Sequence, residues 1–261
     1  MGRPKKPAAR TEVRPSRTRP SGQDTGYSHE RCYAKDLADC DMQISREHYI
    51  SASVLADLGE VFHVTRERLG WEAKKLTANA LACNMLCRRH NSALSCLDVA
   101  GRDFVRCLRL SQERAAAGGG RDVFNGIDLE RWLLKMLCGY TVLDGDPVPL
   151  AWQRLLFGYE EIRRPSGLHM NVAVGQTIGG GEHAIELATA YDTEGRRVGC
   201  SVTLHGYRFL LGLDGRSIGG LEDFGKETLM RPREVKWRAP TGSYRLFFEW
   251  PWSDRPSPDR S

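Results

Sequence analysis

Five of the chain's eight cysteines fall between positions 32 and 96, and this bunching constrains the fold more than any other feature. Cys32 and Cys40 come first, and Cys87 and His90 follow after a bridging segment. Two donor pairs held in tight loops are what a tetrahedral zinc needs, because the ion clips distant parts of the chain together where the apolar core is thin. Cys87-x2-His90 has the spacing of a zinc knuckle. Cys32-x7-Cys40 is longer than the usual two to four intervening residues, so it requires a looped-out excursion. Cys83 competes for a place: Cys83 and Cys87 would lie one helical turn apart, and His90 would then be spare. Cys96, Cys107, Cys138 and Cys200 read as small buried side chains. Free thiols in this number suit a reducing compartment, and a cytoplasmic protein is expected.

The formal net charge is +5, and it has an address. Residues 1–26 carry Arg3, Lys5, Lys6, Arg10, Arg14, Arg17 and Arg19 against Glu12 and Asp24, which leaves the remainder of the chain balanced. That stretch has four prolines and no Phe, Leu, Ile, Trp or Tyr, so it buries too little to offset the entropy of ordering. It reads as a disordered basic arm. Its opening Gly2-Arg3-Pro4-Lys5-Lys6 resembles the core of an AT-hook, which makes Arg3, Lys5 and Lys6 candidate nucleic-acid contacts, although a solubilising tail has the same composition. No run reaches the 18 or so apolar residues of a membrane span, and no apolar stretch follows the basic start as a secretory signal would require. A membrane partner is not expected.

Behind the arm, residues 27–114 contain a Cys-bearing loop, a β-prone stretch at Met42 to Ile44 and a short helix-prone run from Ser53 to Leu58. A longer helix is expected from about His90 or Asn91, its apolar stripe formed by Leu94, Leu97, Phe104, Val105 and Leu108, with Gly101 as a small break. Ala115 to Gly120 looks like a flexible domain boundary. A second domain over 121–250 opens with a helix over Asp128 to Cys138, which Gly139 is placed to cap. Its texture then turns to β: Val172–Gln176, Ile185–Tyr191, Val198–Leu204, Tyr207–Leu213 and finally Tyr244–Trp250, a pattern that fits an antiparallel meander. The glycine run at 179–181 has no following Lys-Ser/Thr and reads as a turn. Residues 251–261 read as a fraying tail. The expected class is α+β, a small zinc-stabilised module followed by a helix-plus-meander half.

The N-terminal module also carries Glu47-His48 and Leu86-Cys87-x-x-His90-Asn91. With Cys32 and Cys40 ahead of them, these residues over about 27–112 resemble the zinc-containing branch of the HNH, or ββα-metal, endonucleases. In that branch a Cys pair precedes a strand bearing an acidic-His dipeptide, and a Leu-Cys-x-x-Cys-Asn knuckle opens the final helix. This chain has Glu47 where Asp is commoner and His90 as the fourth zinc donor.

The resemblance implies a bacterial-type nuclease hydrolysing phosphodiester bonds of DNA, or of RNA. His48 would be the general base. Cys32, Cys40, Cys87 and His90 would hold a structural Zn²⁺. Glu47, Asn91 and Asp98 would hold a catalytic Mg²⁺ or Mn²⁺ through hard oxygen donors, and Asn91 and Asp98 lie two turns apart on one helix face. Asn91 is equally suited to capping its helix. Arg88-Arg89 and Arg102, Arg106 and Arg109 are candidate phosphate contacts, or simply a charged helix face. A zinc-stabilised nucleic-acid-binding module without catalysis, and a zinc scaffold for protein contacts, are the competing expectations.

Overall fold

The computed structural model describes residues 14–58, 62–66, 74–163, 166–171, 184–205, 207–213 and 228–250. Strand β1 (Ile44–His48) leads through α1 (Ala52–Leu58) to β2 (Phe62–Arg66) and β3 (Lys74–Leu76). Next come β4 (Ala82–Cys87), the long helix α2 (Arg88–Arg109), α3 (Ser111–Ala116), β5 (Gly120–Asn125), α4 (Gly126–Leu143) and α5 (Leu150–Leu156). The remaining strands are β6 (Gly167–Asn171), β7 (Ala184–Tyr191), β8 (Arg197–Leu204), β9 (Tyr207–Gly212), β10 (Thr228–Met230), β11 (Glu234–Ala239) and β12 (Gly242–Glu249).

The class is α+β, and among the described residues the strands form three sheets. β1 and β4 pair antiparallel, with Glu47 opposite Cys83 and His48 opposite Ala82. The expected meander is present as β7, β8 and β9, paired in succession within a seven-stranded sheet of order β10-β6-β9-β8-β7-β2-β3. The third sheet has the order β11-β12-β5. Two pairings depart from antiparallel: β2 runs parallel to β7, and β5 runs parallel to β12.

Those pairings correct the expected division at Ala115 to Gly120. β2 and β3 lie before it, yet they extend the sheet built by the C-terminal half. Buried apolar side chains from Cys32 to Phe248 form one continuous cluster, so the halves share a core. The Ala-Gly run is the end of α3 and the start of β5. Segments that each lack a closed core bury more apolar surface together than apart, which outweighs the local flexibility the composition suggests.

Helix α2 starts at Arg88, two residues earlier than expected, because Cys87 acts as its N-cap and its sulfur accepts from the His90 N–H. Gly101 lies directly under the indole of Trp132, and a Cβ there would overlap the ring. The small residue in the α2 stripe therefore seats the largest side chain of α4. Gly139 does not end α4 but sits within it, facing the Cβ of Tyr49, and the helix continues to Leu143. Asn125 caps the start of α4 by accepting from the Ile127 and Asp128 amides at 3.0 and 3.3 Å.

The arm expected over 1–26 is also corrected in part. From Arg14 the chain lies along the body: the Ser16 amide and hydroxyl each donate to Asp128 at 2.8 Å, and Arg19 donates to the Gly158 carbonyl at 2.9 Å. The Arg19 guanidinium sits 4.6 Å from the centre of the Tyr159 ring. Arg89 donates to the backbone oxygens of Ser21 and Gln23 at 2.8 and 3.0 Å. Individually paired polar groups order a segment that has little apolar surface of its own. Arg3, Lys5 and Lys6, the expected strand at 172–176 and the tail 251–261 lie outside the described residues.

Candidate metal centre

Cys32 and Cys40 come from the loop ahead of β1, Cys87 ends β4, and His90 lies in the first turn of α2. Their donor atoms all fall within 4.8 Å of one another, and all four residues are buried. His90 Nδ1 lies 3.6, 3.7 and 3.2 Å from the sulfurs of Cys32, Cys40 and Cys87. With Zn–S near 2.3 Å and Zn–N near 2.0 Å, the edges of a tetrahedron are about 3.5 Å to 3.8 Å. The three sulfurs therefore stand around His90 Nδ1 at close to zinc's nitrogen–sulfur spacing. The Cys87 backbone amide donates to the Cys32 sulfur at 3.3 Å, which steadies that sulfur.

The looped-out excursion between Cys32 and Cys40 is a short 3-10 turn, Lys35–Leu37, after which Ala38 takes a left-handed backbone. Cys83 lies across the ladder from Glu47, half-buried and outside the four-donor group, which leaves His90 in the fourth place.

Hydrogen bonds among the three thiols push their acidities apart. Cys87 is held well below the usual thiol range by hydrogen bonds from Cys32 and Cys40. Cys32 is pushed far up because its thiol is tied to the other two, and Cys40 rises to about 11. A divalent ion would resolve that competition by taking the place of the thiol protons, since metal ligands are thiolates. Among the described residues His90 Nε2 is buried without a hydrogen-bond partner, its ring packed edge-on to Phe157 at 4.7 Å. The polar contacts of the ring among the described residues are thus on the Nδ1 side, facing the sulfurs.

Beside this centre lies a second polar cluster. Glu47, Asn91 and Asp98 do come together, but around a side chain the sequence reading missed. The Lys135 ammonium, carried by α4, lies 2.6 Å from Glu47 Oε1 and 2.6 Å from Asp98 Oδ1. Lys135 is 2% exposed and Glu47 7%. Ser51 donates to the same Asp98 oxygen and accepts from the Trp132 indole N–H at 3.1 Å. The Asn91 amide donates to Ser45 Oγ at 3.1 Å and also hydrogen bonds with Glu47. Burial raises the Glu47 carboxyl above its ordinary range, against the opposing pull of Lys135 and Asn91.

The signal for Lys135 was present in the sequence. From Leu129 to Cys138 the helix is apolar on every side except at Glu130, Arg131 and Lys135, and charges inside such a helix must be paired. Glu130 meets Arg231 at 2.8 Å, with both side chains essentially buried.

This arrangement does not fit a divalent ion at the Glu47, Asn91 and Asp98 site. Hard cations bind carboxylate oxygens at about 2.0 Å to 2.6 Å. At that distance from both carboxylates the structure has an ammonium nitrogen.

His48 follows Glu47 on the strand and so points to the opposite face, together with Arg46. Its ring is half-buried and bonds to the Ala78 backbone. Burial first, and then the charges of Arg46 and Lys135, push its pKa down, so it is neutral near pH 7. Arg46 is exposed and donates to the Asn79 carbonyl at 2.6 Å. The candidate phosphate-binding arginines are largely engaged within the protein: Arg89 with Asp39, Arg102 with Asp103 and Arg109 with Asp57.

No helix among the described residues is long and apolar enough to cross a membrane. No family model matches the chain, and neither a curated protein nor a solved structure matches it.

Proposed function

We propose that the chain is a zinc-clipped nucleic-acid hydrolase of the HNH type, acting on phosphodiester bonds of DNA or RNA in a cytoplasmic setting. The observation that carries this reading is the placement of three features on one strand, strand and helix unit. Cys32, Cys40, Cys87 and His90 converge, Glu47-His48 ends β1, and Asn91 stands one residue beyond the zinc knuckle. In this reading the strands and helix are a ββα-metal module. The four donors fit Zn²⁺, which would lend stability and stay away from substrate.

The chemistry then falls to the half-exposed face of β1. Neutral His48 accepts a proton from water as the water oxygen bonds to phosphorus, and the P–O3′ bond breaks with the electron pair leaving on the 3′ oxygen. The neighbouring Arg46 guanidinium faces the charge that builds on the non-bridging oxygens.

Lys135 favours a second reading, in which the same clip supports nucleic-acid binding without cleavage, because it satisfies the carboxylates that the resemblance reserves for catalysis. One experiment separates the two. Full-length zinc-loaded protein is incubated with supercoiled plasmid, with and without Mg²⁺ or Mn²⁺, beside His48→Ala. The hydrolase reading expects nicking that falls by about 100-fold or more in the variant while zinc content is kept. Gel-shift binding with no nicking under any divalent ion establishes the second reading instead.

A further inference from the structure

We propose that Lys135 is the resident cation of the Glu47, Asn91 and Asp98 cluster, so that this seat takes no Mg²⁺ or Mn²⁺ in the intact protein. The inference rests on the HNH-type reading only for the expectation it corrects, and its readout is cation binding rather than cleavage.

Three observations carry it. The ammonium nitrogen is 2.6 Å from an oxygen of each carboxylate, which is charge-assisted hydrogen-bond distance and the place a cation must occupy to bridge them. The surrounding groups are oriented for that cation: Ser51 binds the Asp98 oxygen and is itself held by Trp132, while Asn91 supports Glu47. Finally, Lys135 has nowhere cheap to go. Its stem is buried on α4, the helix that sets Trp132 over Gly101 and Gly139 against Tyr49, so withdrawing the ammonium means moving α4 or burying an unpaired charge. Adding a divalent ion without withdrawing it would force two cations together at van der Waals distance in a largely buried site.

The cluster therefore belongs jointly to both halves of the chain. β1 and α2 supply the carboxylates and the amide, and α4, from beyond the Ala-Gly run, supplies the charge that completes them.

The test is Mn²⁺ binding, followed by electron paramagnetic resonance of the free ion, on the full-length zinc-loaded protein. Wild type is expected to bind no Mn²⁺ at this cluster up to millimolar concentration. Lys135→Met and Lys135→Ala, which vacate the seat, are expected to bind one Mn²⁺ at least tenfold more tightly than wild type, and adding Glu47→Gln to either should abolish that gain. Wild-type binding of one Mn²⁺ that Glu47→Gln removes overturns the proposal, as does a folded Lys135 variant that binds no more tightly than wild type.

If neither variant folds, the wild-type lysine decides. The ¹⁵N-labelled Lys135 ammonium should give a slowly exchanging resonance that excess Mg²⁺ leaves in place, and loss of that resonance on adding Mg²⁺ overturns the assignment. Failure of plasmid nicking alongside the expected Mn²⁺ results would overturn the hydrolase reading and leave Lys135 as assigned.

Discussion

Removing one sulfur from the metal centre tests the foundation of the fold. Cys87→Ser is the most informative change, because serine retains an N-cap for α2 and the substitution isolates the loss of a zinc donor. Apart from the short 3-10 turn, the loop carrying Cys32 and Cys40 is fastened to β4 and α2 by few backbone bonds. The Tyr33 amide reaches the Met85 carbonyl at 2.9 Å, and the Arg88 amide reaches that of Gln43 at 2.7 Å. A metal held by the four donors would cross-link chain segments 55 residues apart, beside the Arg89–Asp39 ion pair. Treated as a covalent cross-link, a loop of that length removes about 4 kcal/mol of entropy from the unfolded chain. At about 2 °C to 4 °C per kcal/mol for a protein of this size, the melting temperature should fall by about 8 °C to 16 °C. Thermal unfolding followed by circular dichroism, with zinc counted by mass spectrometry, measures both terms. Hydrogen exchange at the Tyr33 amide should accelerate in step. Wild-type protein purified without zinc would refute the reasoning, and so would a variant that loses the metal but melts within about 2 °C of wild type.

Other consequences follow from buried charge and close packing. Arg231→Met leaves Glu130 buried without its cation and should cost about 3 kcal/mol to 5 kcal/mol in urea unfolding. Burial already raises the Glu130 carboxyl, and losing Arg231 raises it further. A raised folded pKa means that stability is lost as pH rises through it, so the deficit should be smaller at pH 5 than at pH 8. Gly139→Ala gains helix propensity but drives a methyl into Tyr49, and a net loss of about 1 kcal/mol to 3 kcal/mol is expected from the same measurement. In the hydrolase reading the lowered His48 pKa means that nicking should reach its plateau at a lower pH than an ordinary imidazole base would give and fall in more acidic solution. A rate that still climbs between pH 7 and 8 would contradict a neutral His48.

What could be read from the sequence was what is local and periodic. The α2 stripe of Leu94, Leu97, Phe104, Val105 and Leu108 is buried as a set, and three successive β-rich runs with turn signals between them pair as β7, β8 and β9. The convergence of Cys32, Cys40, Cys87 and His90 was legible too, since a loop and a knuckle close donors over short distances; only the choice between Cys83 and His90 waited for the fold. What escaped was long-range. β2 lies parallel to β7 more than a hundred residues later, a pairing that no local composition encodes. Gly139 looked like a helix end because glycine caps helices, yet here the close approach of Tyr49 requires it. Residues 14–26 lack apolar side chains and so read as disordered, whereas Asp128, Gly158 and Arg89 hold them through polar contacts that could not be anticipated without the fold.

Lys135 shows why the N-terminal module and the helix beyond it form one unit. Two carboxylates brought together on β1 and α2 would repel each other in a site only slightly exposed to water, and α2 would present Gly101 as a gap in its packing face. Helix α4 answers both needs with residues one turn apart: Trp132 fills the gap and Lys135 supplies the charge. Trp132 also donates to Ser51, which donates to Asp98, so the apolar and ionic contacts are joined through a single hydroxyl. The cluster of Cys32, Cys40, Cys87 and His90 sits where β1 and α2 begin, and α4 packs against α2 beyond it. That division of labour explains how the module holds a Glu47 carboxyl, a His48 imidazole and an Asn91 amide in defined positions.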